Sequence, residues 1–459
     1  MGLSDGDLSE VAIPALVRAN GNSPETPGLG LRVSIPNALI SSVAIVFCLW
    51  NLVFLSGIFV ITKGNDFSRM YQSAVAFWQG GEMYGWNIAT PAKLDENHVV
   101  DLWNMNPPHF HLVLLPLALL PWQAALALWF VIGFCSLGLS LRLTLRAADV
   151  RLTPRATELG LIAVAGFSGT ATIFSTGQLT LLMLLPVTLI WLEARRGRWI
   201  HSGVYLGLCM SVKPFLLLLL PYFLLSRRWG AAATAVGTAG AAFALGLLMF
   251  GVENTQMWYR GLGTVATWDW LPMNASLLGM LHRTFTKTLW YQPVVELSPA
   301  ILRAAWMVIG GAIGVASLRA APRDGSAEAV DRAFALLLVT SLVLCPLGWV
   351  YYFWLPMGPI IALAAAQFRL GPHRPDASPQ QIWQVVNRVV PWWALPGLFG
   401  PSLMIVKIFR PNILATLLAG NIYFWSLIGI WGSLLVLAIG FKSRVFQALD
   451  KMPVPAVDA

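Results

Sequence analysis

A series of long apolar stretches, separated by short polar ones, limits what this chain can fold into. The stretch from Leu39 to Ile61 has about the length that a helix needs to cross a bilayer. Only 11% of the residues are charged, whereas soluble domains have roughly 25%. Backbone polar groups inside a bilayer must be satisfied within their own segment, so such stretches form helices. The sequence therefore predicts an all-α polytopic membrane protein with about eleven to thirteen membrane segments.

The basic residues predict the topology. The net charge of +9 does not indicate a nucleic-acid partner, because the basic residues lie in short clusters between apolar stretches. The positive-inside rule places these clusters, and both chain ends, in the cytosol. The first residues are polar and lack the apolar run of a signal peptide. The predicted organisation is a cytosolic tail at 1–36, a transmembrane domain at 37–445 with outer loops at 62–108, 251–298 and 345–352, and a cytosolic tail at 446–459.

The first outer loop contains a candidate catalytic carboxylate. Asp66 lies a few residues after the first apolar stretch, and apolar side chains recur at helical spacing over 67–80. This pattern predicts a helix that lies in the membrane interface. Asp66 is then either the N-cap of that helix or a general base that removes a proton from an acceptor hydroxyl.

Lys213 is a cation inside an apolar stretch. The stretch 203–225 is too short for two full spans, and Pro214 follows the lysine directly. We therefore expect two half-helices that meet at Lys213. An ammonium group near the middle of a membrane costs about 2.5–3.5 kcal/mol on insertion scales, which favours a functional role such as phosphate binding. The alternative is a lysine whose ammonium group snorkels to the interface.

Other kinds of site are not indicated by the sequence. His109 and His111 are two residues apart, so on a helix they point to different faces and do not predict a metal pair. The sequence has no P-loop and no GxGxxG motif. We therefore expect neither a metal nor a cofactor. Trp258 and Trp268 in the second outer loop could stack on a sugar ring, or belong to an interfacial aromatic belt.

Several motifs occur in an order that resembles a known family. They are the early outer-loop aspartate, Tyr71, Gly80–Tyr84, Pro107–Pro108, the run LVLLPLALLP, Gly177–Gln178, Lys213–Pro214 and Asn274–Arg283. Over roughly residues 60–355, the chain resembles the integral-membrane glycosyltransferases of family 87, within the GT-C superfamily.

The resemblance implies a GT-C-like fold, a polyprenyl-phosphate-linked sugar as donor, and inverting transfer on the outer face without a metal. It also implies that Asp66 matches the catalytic aspartate of the family. The asparagine, serine and arginine of a later family motif match Asn274, Ser276 and Arg283.

The chain departs from the family at the outer turn PLGWVYY. Trp349 matches the family tryptophan, but Tyr351 and Tyr352 occupy the positions of paired histidines. Tyrosine has a pKa near 10 and is a poor base at neutral pH. It can still form a hydrogen bond with a phosphate or sugar oxygen.

Together, these features predict an inner-membrane glycosyltransferase that moves mannose or a pentose such as arabinofuranose. The donor is a polyprenyl-phosphate sugar and the acceptor is a glycolipid or glycan on the periplasmic side. The alternative is a transporter or flippase of lipid-linked sugars. The predicted base is Asp66, the predicted donor-phosphate ligands are Lys213, Arg283, Tyr351 and Tyr352, and the predicted substrate contacts are Tyr71, Gln178, Trp258, Trp268, Asn274, Ser276 and Trp349.

Overall fold

Helices account for nearly all of the regular structure in the computed structural model. It describes residues 37–60, 65–85, 90–93, 99–263, 269–288, 290–370, 379–399 and 413–450. The predicted tail 1–36, and residues 451–459 of the other predicted tail, lie outside the described residues. The helices are α1 (Asn37–Val60), α2 (Asp66–Trp78), α3 (Trp122–Ala147), α4 (Pro154–Gly166), α5 (Ser168–Thr176), α6 (Thr180–Arg195), α7 (Trp199–Val212), α8 (Leu219–Leu225), α9 (Trp229–Gly261), α10 (Leu277–Phe285), α11 (Pro299–Ala320), α12 (Ala327–Leu344), α13 (Met357–Leu370), α14 (Pro379–Val389), α15 (Leu395–Phe399), α16 (Ile413–Leu417) and α17 (Ile422–Asp450).

Short irregular elements connect these helices. A two-stranded antiparallel hairpin in the first outer loop pairs β1 (Thr90–Lys93) with β2 (Val99–Leu102), and Thr90 lies opposite Leu102. The sequence analysis did not predict this hairpin. Short 3-10 helices occur at Pro108–Val113, Leu117–Leu119, Pro214–Leu218, Val350–Trp354 and Trp392–Ala394.

The prediction of an all-α polytopic membrane protein is confirmed. Within the described ranges, five helices (α1, α3, α9, α11 and α17) are long and apolar enough to cross a membrane, or six if the bent pair α4–α5 counts as one span. The expected number of about eleven to thirteen segments is larger, because several apolar helices such as α6, α7 and α13 are shorter than the roughly 20 residues of a full span.

α12 is the central helix of the fold. Every residue from Ala329 to Val343 is buried, and the helix packs against α6, α11, α13 and α17. The chain that leaves α12 forms the predicted third outer loop and then the 3-10 turn Val350–Trp354, all of whose residues are buried. A helix packed on all sides thus holds the position of this turn.

Two glycines bring α7 and α9 into close contact. A Cβ atom on Gly203 would lie 2.4 Å from the Ala231 carbonyl oxygen, and one on Gly207 would lie 2.5 Å from the Ala235 carbonyl oxygen. Small residues four apart let membrane helices approach this closely. The packing supports the end of α7, where the helix stops at Val212 and Lys213 adopts an extended conformation (φ −130°, ψ 91°). The predicted break at Lys213 is therefore confirmed.

Candidate active site

One cavity of about 690 Å³ collects side chains from distant parts of the sequence. Its walls come from the start of α2, residues 103–106, the turn between α5 and α6, the break after α7, residues 271–273, and the end of α12 with the turn that follows. Among the predicted site residues, it is lined by Asp66, Gln178, Lys213, Trp349, Tyr351 and Tyr352.

Asp66 is not the N-cap of α2. Asn65 has that position, and its side-chain oxygen accepts a hydrogen bond of 2.7 Å from the backbone N–H of Ser68. The Ser68 hydroxyl completes a capping box by facing the Asn65 backbone N–H at 3.3 Å. Because Asn65 caps the helix, the capping interpretation of Asp66 is wrong, and its carboxylate is available to the cavity.

The Asp66 corner consists of Asp66, Arg69 and Gln178. Arg69, one helical turn after Asp66, forms an ion pair with Oδ1 of the carboxylate. Gln178 donates a 2.5 Å hydrogen bond from Nε2 to Oδ2. Burial lowers the pKa of Arg69 to about 10, so the guanidinium stays charged at neutral pH. A carboxylate offers about four lone-pair positions, so Asp66 can still accept a proton from a substrate.

Gly177 determines where Gln178 lies. It ends α5 with φ +66°, a left-handed conformation that favours glycine. A Cβ atom at this position would lie 2.5 Å from Cβ of Phe67. The Gly177 carbonyl also accepts a 3.0 Å hydrogen bond from Nε1 of Trp129. The end of α5 therefore packs directly on the start of α2, and the next residue, Gln178, reaches Asp66.

Tyr351 and Tyr352 lie between the two charged residues. Nε2 of Gln178 donates a second hydrogen bond, of 2.9 Å, to the Tyr351 hydroxyl, which also bonds to the hydroxyl of Tyr352. The Lys213 ammonium lies 5.9 Å from the centre of the Tyr352 ring. Burial raises the pKa of Tyr351 well above its usual value, so its phenol stays protonated at neutral pH. The pair can form hydrogen bonds but does not provide a base.

The Lys213 corner consists of Lys213, Asn104 and Asn106. The ammonium donates a 3.0 Å hydrogen bond to Oδ1 of Asn106, whose own amide donates to Oδ1 of Asn104 at 3.2 Å. Nδ2 of Asn104 contacts Nε2 of His111 at 2.8 Å, and Nδ1 of His111 faces the Pro107 carbonyl at 3.2 Å. This geometry assigns the imidazole proton to Nδ1. Within the described parts of the chain, the ammonium of Lys213 forms no ion pair.

The sequence reasoning missed Arg69, Asn104 and Asn106. The signal for Arg69 was its position three residues after Asp66, which places the two side chains on one helix face. The signal for the asparagines was weaker, because polar side chains in a loop are ordinary. Only the fold places Asn106 beside the lysine that follows α7, with Asn104 bonded to Asn106.

Asn274, Ser276 and Arg283 form hydrogen bonds within the protein and do not line the cavity. Arg283 is fully buried and donates to the carbonyls of Leu271 (2.8 Å) and Asn274 (2.8 Å), and its Nε bonds to Asn421 at 2.9 Å. Asn274 and Ser276 both donate to the Pro346 carbonyl, at 2.8 and 3.1 Å. These bonds join the segment before α10 to the segment after α12, and both segments form walls of the cavity.

The other predicted substrate contacts lie elsewhere. Tyr71 donates a 2.7 Å hydrogen bond to the Leu120 carbonyl and packs edge-on against Trp122, behind the cavity wall. Trp258 does not line the cavity, but its Nε1 donates to the carbonyl of Met105, which does. Trp268 lies outside the described residues.

The charged side chains of the cavity suit an uncharged nucleophile and an anion. A carboxylate accompanied by a guanidinium can take a proton from a hydroxyl. An ammonium without a counter-ion favours an anionic group such as a phosphate. Across the described residues, no three His, Cys, Asp or Glu side chains gather in the geometry of a metal site.

Comparison with known proteins gives one family. The model of Glycosyltransferase family 87 matches residues 104–346, which is just over half of the chain. A polyprenol-phosphate-mannose-dependent alpha-(1-2)-phosphatidylinositol pentamannoside mannosyltransferase of Mycolicibacterium smegmatis is 24% identical over 277 residues, covering 57% of this chain and 63% of that protein. An alpha-(1->3)-arabinofuranosyltransferase of Mycobacterium tuberculosis is 30% identical over 200 residues, covering 41% of this chain and 44% of that protein. The chain thus spans less than two thirds of the length of either relative.

Proposed function

The chain belongs to glycosyltransferase family 87, and we propose that this multi-pass membrane protein transfers a sugar from a polyprenyl-phosphate donor to a hydroxyl of a glycolipid or glycan. The transfer takes place on the extracytoplasmic side of the inner membrane, where the predicted topology puts the cavity. The donor is the only small molecule that the reaction needs besides the acceptor.

The observation that supports this proposal is that one cavity holds a carboxylate and an ammonium group whose partners differ in charge. Asp66 has a counter-ion in Arg69, whereas Lys213 has none among the described residues. A site for a neutral hydroxyl and a phosphate requires this asymmetry, because the phosphate brings its own negative charge to the lysine. The hydrogen bond to Asn106 offsets part of the lysine's burial cost of about 2.5–3.5 kcal/mol, and a bound anion would offset more of it.

In the proposed reaction, Asp66 accepts the proton of the acceptor hydroxyl while the acceptor oxygen forms a bond to the anomeric carbon. The bond from that carbon to the phosphate oxygen breaks, and the lipid phosphate leaves with the electron pair from the opposite face of the sugar. Lys213 stabilises the charge that grows on this phosphate. Gln178 and Arg69 hold the carboxylate in place, and Tyr351 and Tyr352 form hydrogen bonds with the donor.

The other residues have supporting roles in this proposal. Trp349, which lines the cavity, gives the sugar ring an aromatic surface. Asn274, Ser276 and Arg283 act as positioning residues for the walls rather than as ligands of the phosphate, because their polar groups already bond to the protein. The names of the two relatives favour mannose or arabinofuranose as the transferred sugar.

The test is sugar transfer by an Asp66→Asn variant. Membranes that contain the protein are supplied with radiolabelled polyprenyl-phosphate mannose, and in parallel with the arabinofuranose donor, and labelled glycolipid is measured. We expect the variant to lose about 10²–10⁴-fold in turnover, because an amide cannot accept the proton. Donor affinity should remain, since Lys213 is unchanged.

The matched control is Glu82→Gln, which removes an exposed acid of the same outer loop that does not line the cavity. It should transfer sugar as the wild type does. Undiminished transfer by a normally folded Asp66→Asn variant would remove Asp66 from the role of base. A flippase would move the donor lipid across vesicles without making a glycosidic bond, so labelled product separates the two functions.

A further inference from the structure

A chain of hydrogen bonds between buried side chains leads from α2 to Lys213. Ser73, on α2, and His111 both contact the side chain of Asn104. Asn104 in turn contacts Asn106, and Asn106 accepts a hydrogen bond from the Lys213 ammonium. All four side chains before the lysine are buried. Ser73 and His111 do not line the cavity, so they reach a ligand there only through other residues.

The amide of Asn104 has one orientation that satisfies its neighbours. The Ser73 hydroxyl donates its proton to the Met83 carbonyl at 2.7 Å, so its oxygen accepts from Nδ2 of Asn104, also at 2.7 Å. The backbone N–H of Asn106 can only donate, and it lies 3.1 Å from Oδ1 of Asn104. If the amide were turned over, its NH₂ group would face this second donor.

His111 requires the same orientation of Asn104. Its ring is fully buried, and burial lowers the pKa of the imidazole to about 4, so the ring is neutral at neutral pH. Nδ1 donates the ring proton to the Pro107 carbonyl at 3.2 Å, which leaves a lone pair on Nε2. Nδ2 of Asn104 donates to this lone pair at 2.8 Å.

The orientation of Asn104 determines that of Asn106. Oδ1 of Asn104 accepts from Nδ2 of Asn106 at 3.2 Å, so Oδ1 of Asn106 is the atom that faces the Lys213 ammonium, at 3.0 Å. An ammonium has N–H donors and no acceptor, so it binds an oxygen and is repelled by an NH₂ group. Within the described parts of the chain, this is the one hydrogen bond that the ammonium donates. Its other N–H groups remain for a ligand.

We propose that Asn104 and His111 are positioning residues for the phosphate of the donor, on which they act through Asn106 and Lys213. The inference rests on the proposed function, in which Lys213 binds that phosphate. Because an amide rather than a carboxylate holds the ammonium, Lys213 is oriented without being neutralised. A carboxylate in the place of Asn106 would compete with the phosphate for the same cation. The hydrogen-bond chain thus supplies direction to the lysine and leaves its charge to the donor.

A merely structural role for the chain makes a different prediction. Loss of its bonds would then lower the unfolding temperature, and any effect on donor binding would be the same with or without the charge of Lys213. If Asn104 acts through Lys213, its effect on binding disappears once the ammonium is absent. A double-mutant cycle with Lys213→Met therefore separates the two roles.

The experiment measures binding of polyprenyl phosphate to the full-length protein in detergent by native mass spectrometry. This probe has the lipid phosphate of the donor without its sugar. We expect Asn104→Leu, which frees the amide of Asn106, to raise the dissociation constant about tenfold. His111→Phe removes one of the bonds that hold Asn104 and should raise it about threefold. His111→Gln has a side-chain oxygen that can accept from Asn104 and should recover most of the affinity. In the Lys213→Met background, none of the three should change the constant.

Tyr71→Phe is the matched control. It removes a buried 2.7 Å hydrogen bond between α2 and a backbone carbonyl, and it does not touch the chain of bonds to Lys213. It should bind polyprenyl phosphate as its parent does in both backgrounds. Thermal unfolding of every variant reports the structural cost separately.

Three outcomes overturn the inference. Asn104→Leu and His111→Phe that weaken binding equally in both backgrounds act by structure or by direct contact, not through Lys213. Wild-type binding by both variants, while Lys213→Met binds weakly, removes the positioning role and leaves the proposed function intact. If Lys213→Met itself binds polyprenyl phosphate as the wild type does, the proposed function loses its phosphate ligand and this inference falls with it. If Asn104→Leu does not fold, the cycle with His111→Phe and His111→Gln decides alone.

Discussion

Asp66 and Lys213 line the same cavity, but the groups that surround them differ in charge. In the Asp66 corner, the carboxylate is neutralised by Arg69 and oriented by Gln178. In the Lys213 corner, the ammonium contacts the side-chain oxygen of Asn106 and the face of Tyr352, both of which are uncharged. The first corner is electrically complete without substrate, and the second has an unbalanced positive charge.

The difference indicates what each corner binds. A paired carboxylate loses little when a neutral hydroxyl approaches, and it can still take a proton from it. An ammonium whose partners are all uncharged gains most when an anion arrives, because a buried charge is costly without an opposite charge. The two corners therefore suit the two reactants of a sugar transfer from a lipid phosphate.

The largest effect should come from breaking the Asp66 corner alone, with Gly177→Ala. The new Cβ atom would overlap Phe67 and require a left-handed conformation, which together cost about 2–4 kcal/mol. We expect a lower unfolding temperature and a loss of transfer as Gln178 moves away from Asp66. Donor binding by the protein that remains folded should persist, because the Lys213 corner is on other elements.

Gly80→Ala is the matched control for this change. Gly80 has a similar φ of +71°, but nothing lies within 4 Å of an added Cβ atom. It should lose only the backbone term of about 1–2 kcal/mol and retain transfer. If Gly177→Ala transfers sugar as well as Gly80→Ala does, the contact between α5 and α2 does not position Gln178.

The second largest effect should be a loss of donor affinity in Lys213→Met, which changes the Lys213 corner. Methionine keeps the length of the side chain but removes the charge that would pair with the phosphate. We expect the donor dissociation constant to rise about 10- to 100-fold, the range of a lost charged hydrogen bond. Equilibrium binding of polyprenyl-phosphate sugar measures it. Lys213→Arg should recover part of the affinity, and an unchanged constant for the methionine variant would return Lys213 to the snorkelling interpretation.

The smallest effect should be the difference in thermal stability between a variant of each corner, measured without substrate. Asp66→Asn removes the carboxylate that pairs with the buried guanidinium of Arg69 and should destabilise the protein by about 1–2 kcal/mol. Lys213→Met removes a charge that lacks an ionic partner and should leave the unfolding temperature unchanged or higher. Thermal unfolding in detergent compares the two. If both variants are destabilised equally, the charges of the two corners are balanced alike and the comparison fails.

Lys213 and Asp66 were predictable from the sequence because each is a charged residue within or directly beside an apolar stretch. Lys213 is a charge within an apolar stretch, and Asp66 is an acid where such a stretch ends, so each differs from its neighbours in the sequence alone. Arg283 also looked functional, because it matches the arginine of a family motif in the second outer loop. It bonds to the carbonyl of Asn274, nine residues before it, and to the side chain of Asn421, 138 residues after it. No local pattern indicates the second of these bonds.

The sequence by itself determined the all-α membrane class, the family and the break at Lys213. These follow from composition, motif order and segment length, which act over one segment at a time. Only the tertiary structure decided which polar groups meet. Arg69 and Gln178 surround Asp66, and Asn106 holds Lys213, because helices whose apolar faces pack together bring their ends to one cavity. That packing depends on contacts such as those of Gly177 with Phe67, between residues more than a hundred positions apart.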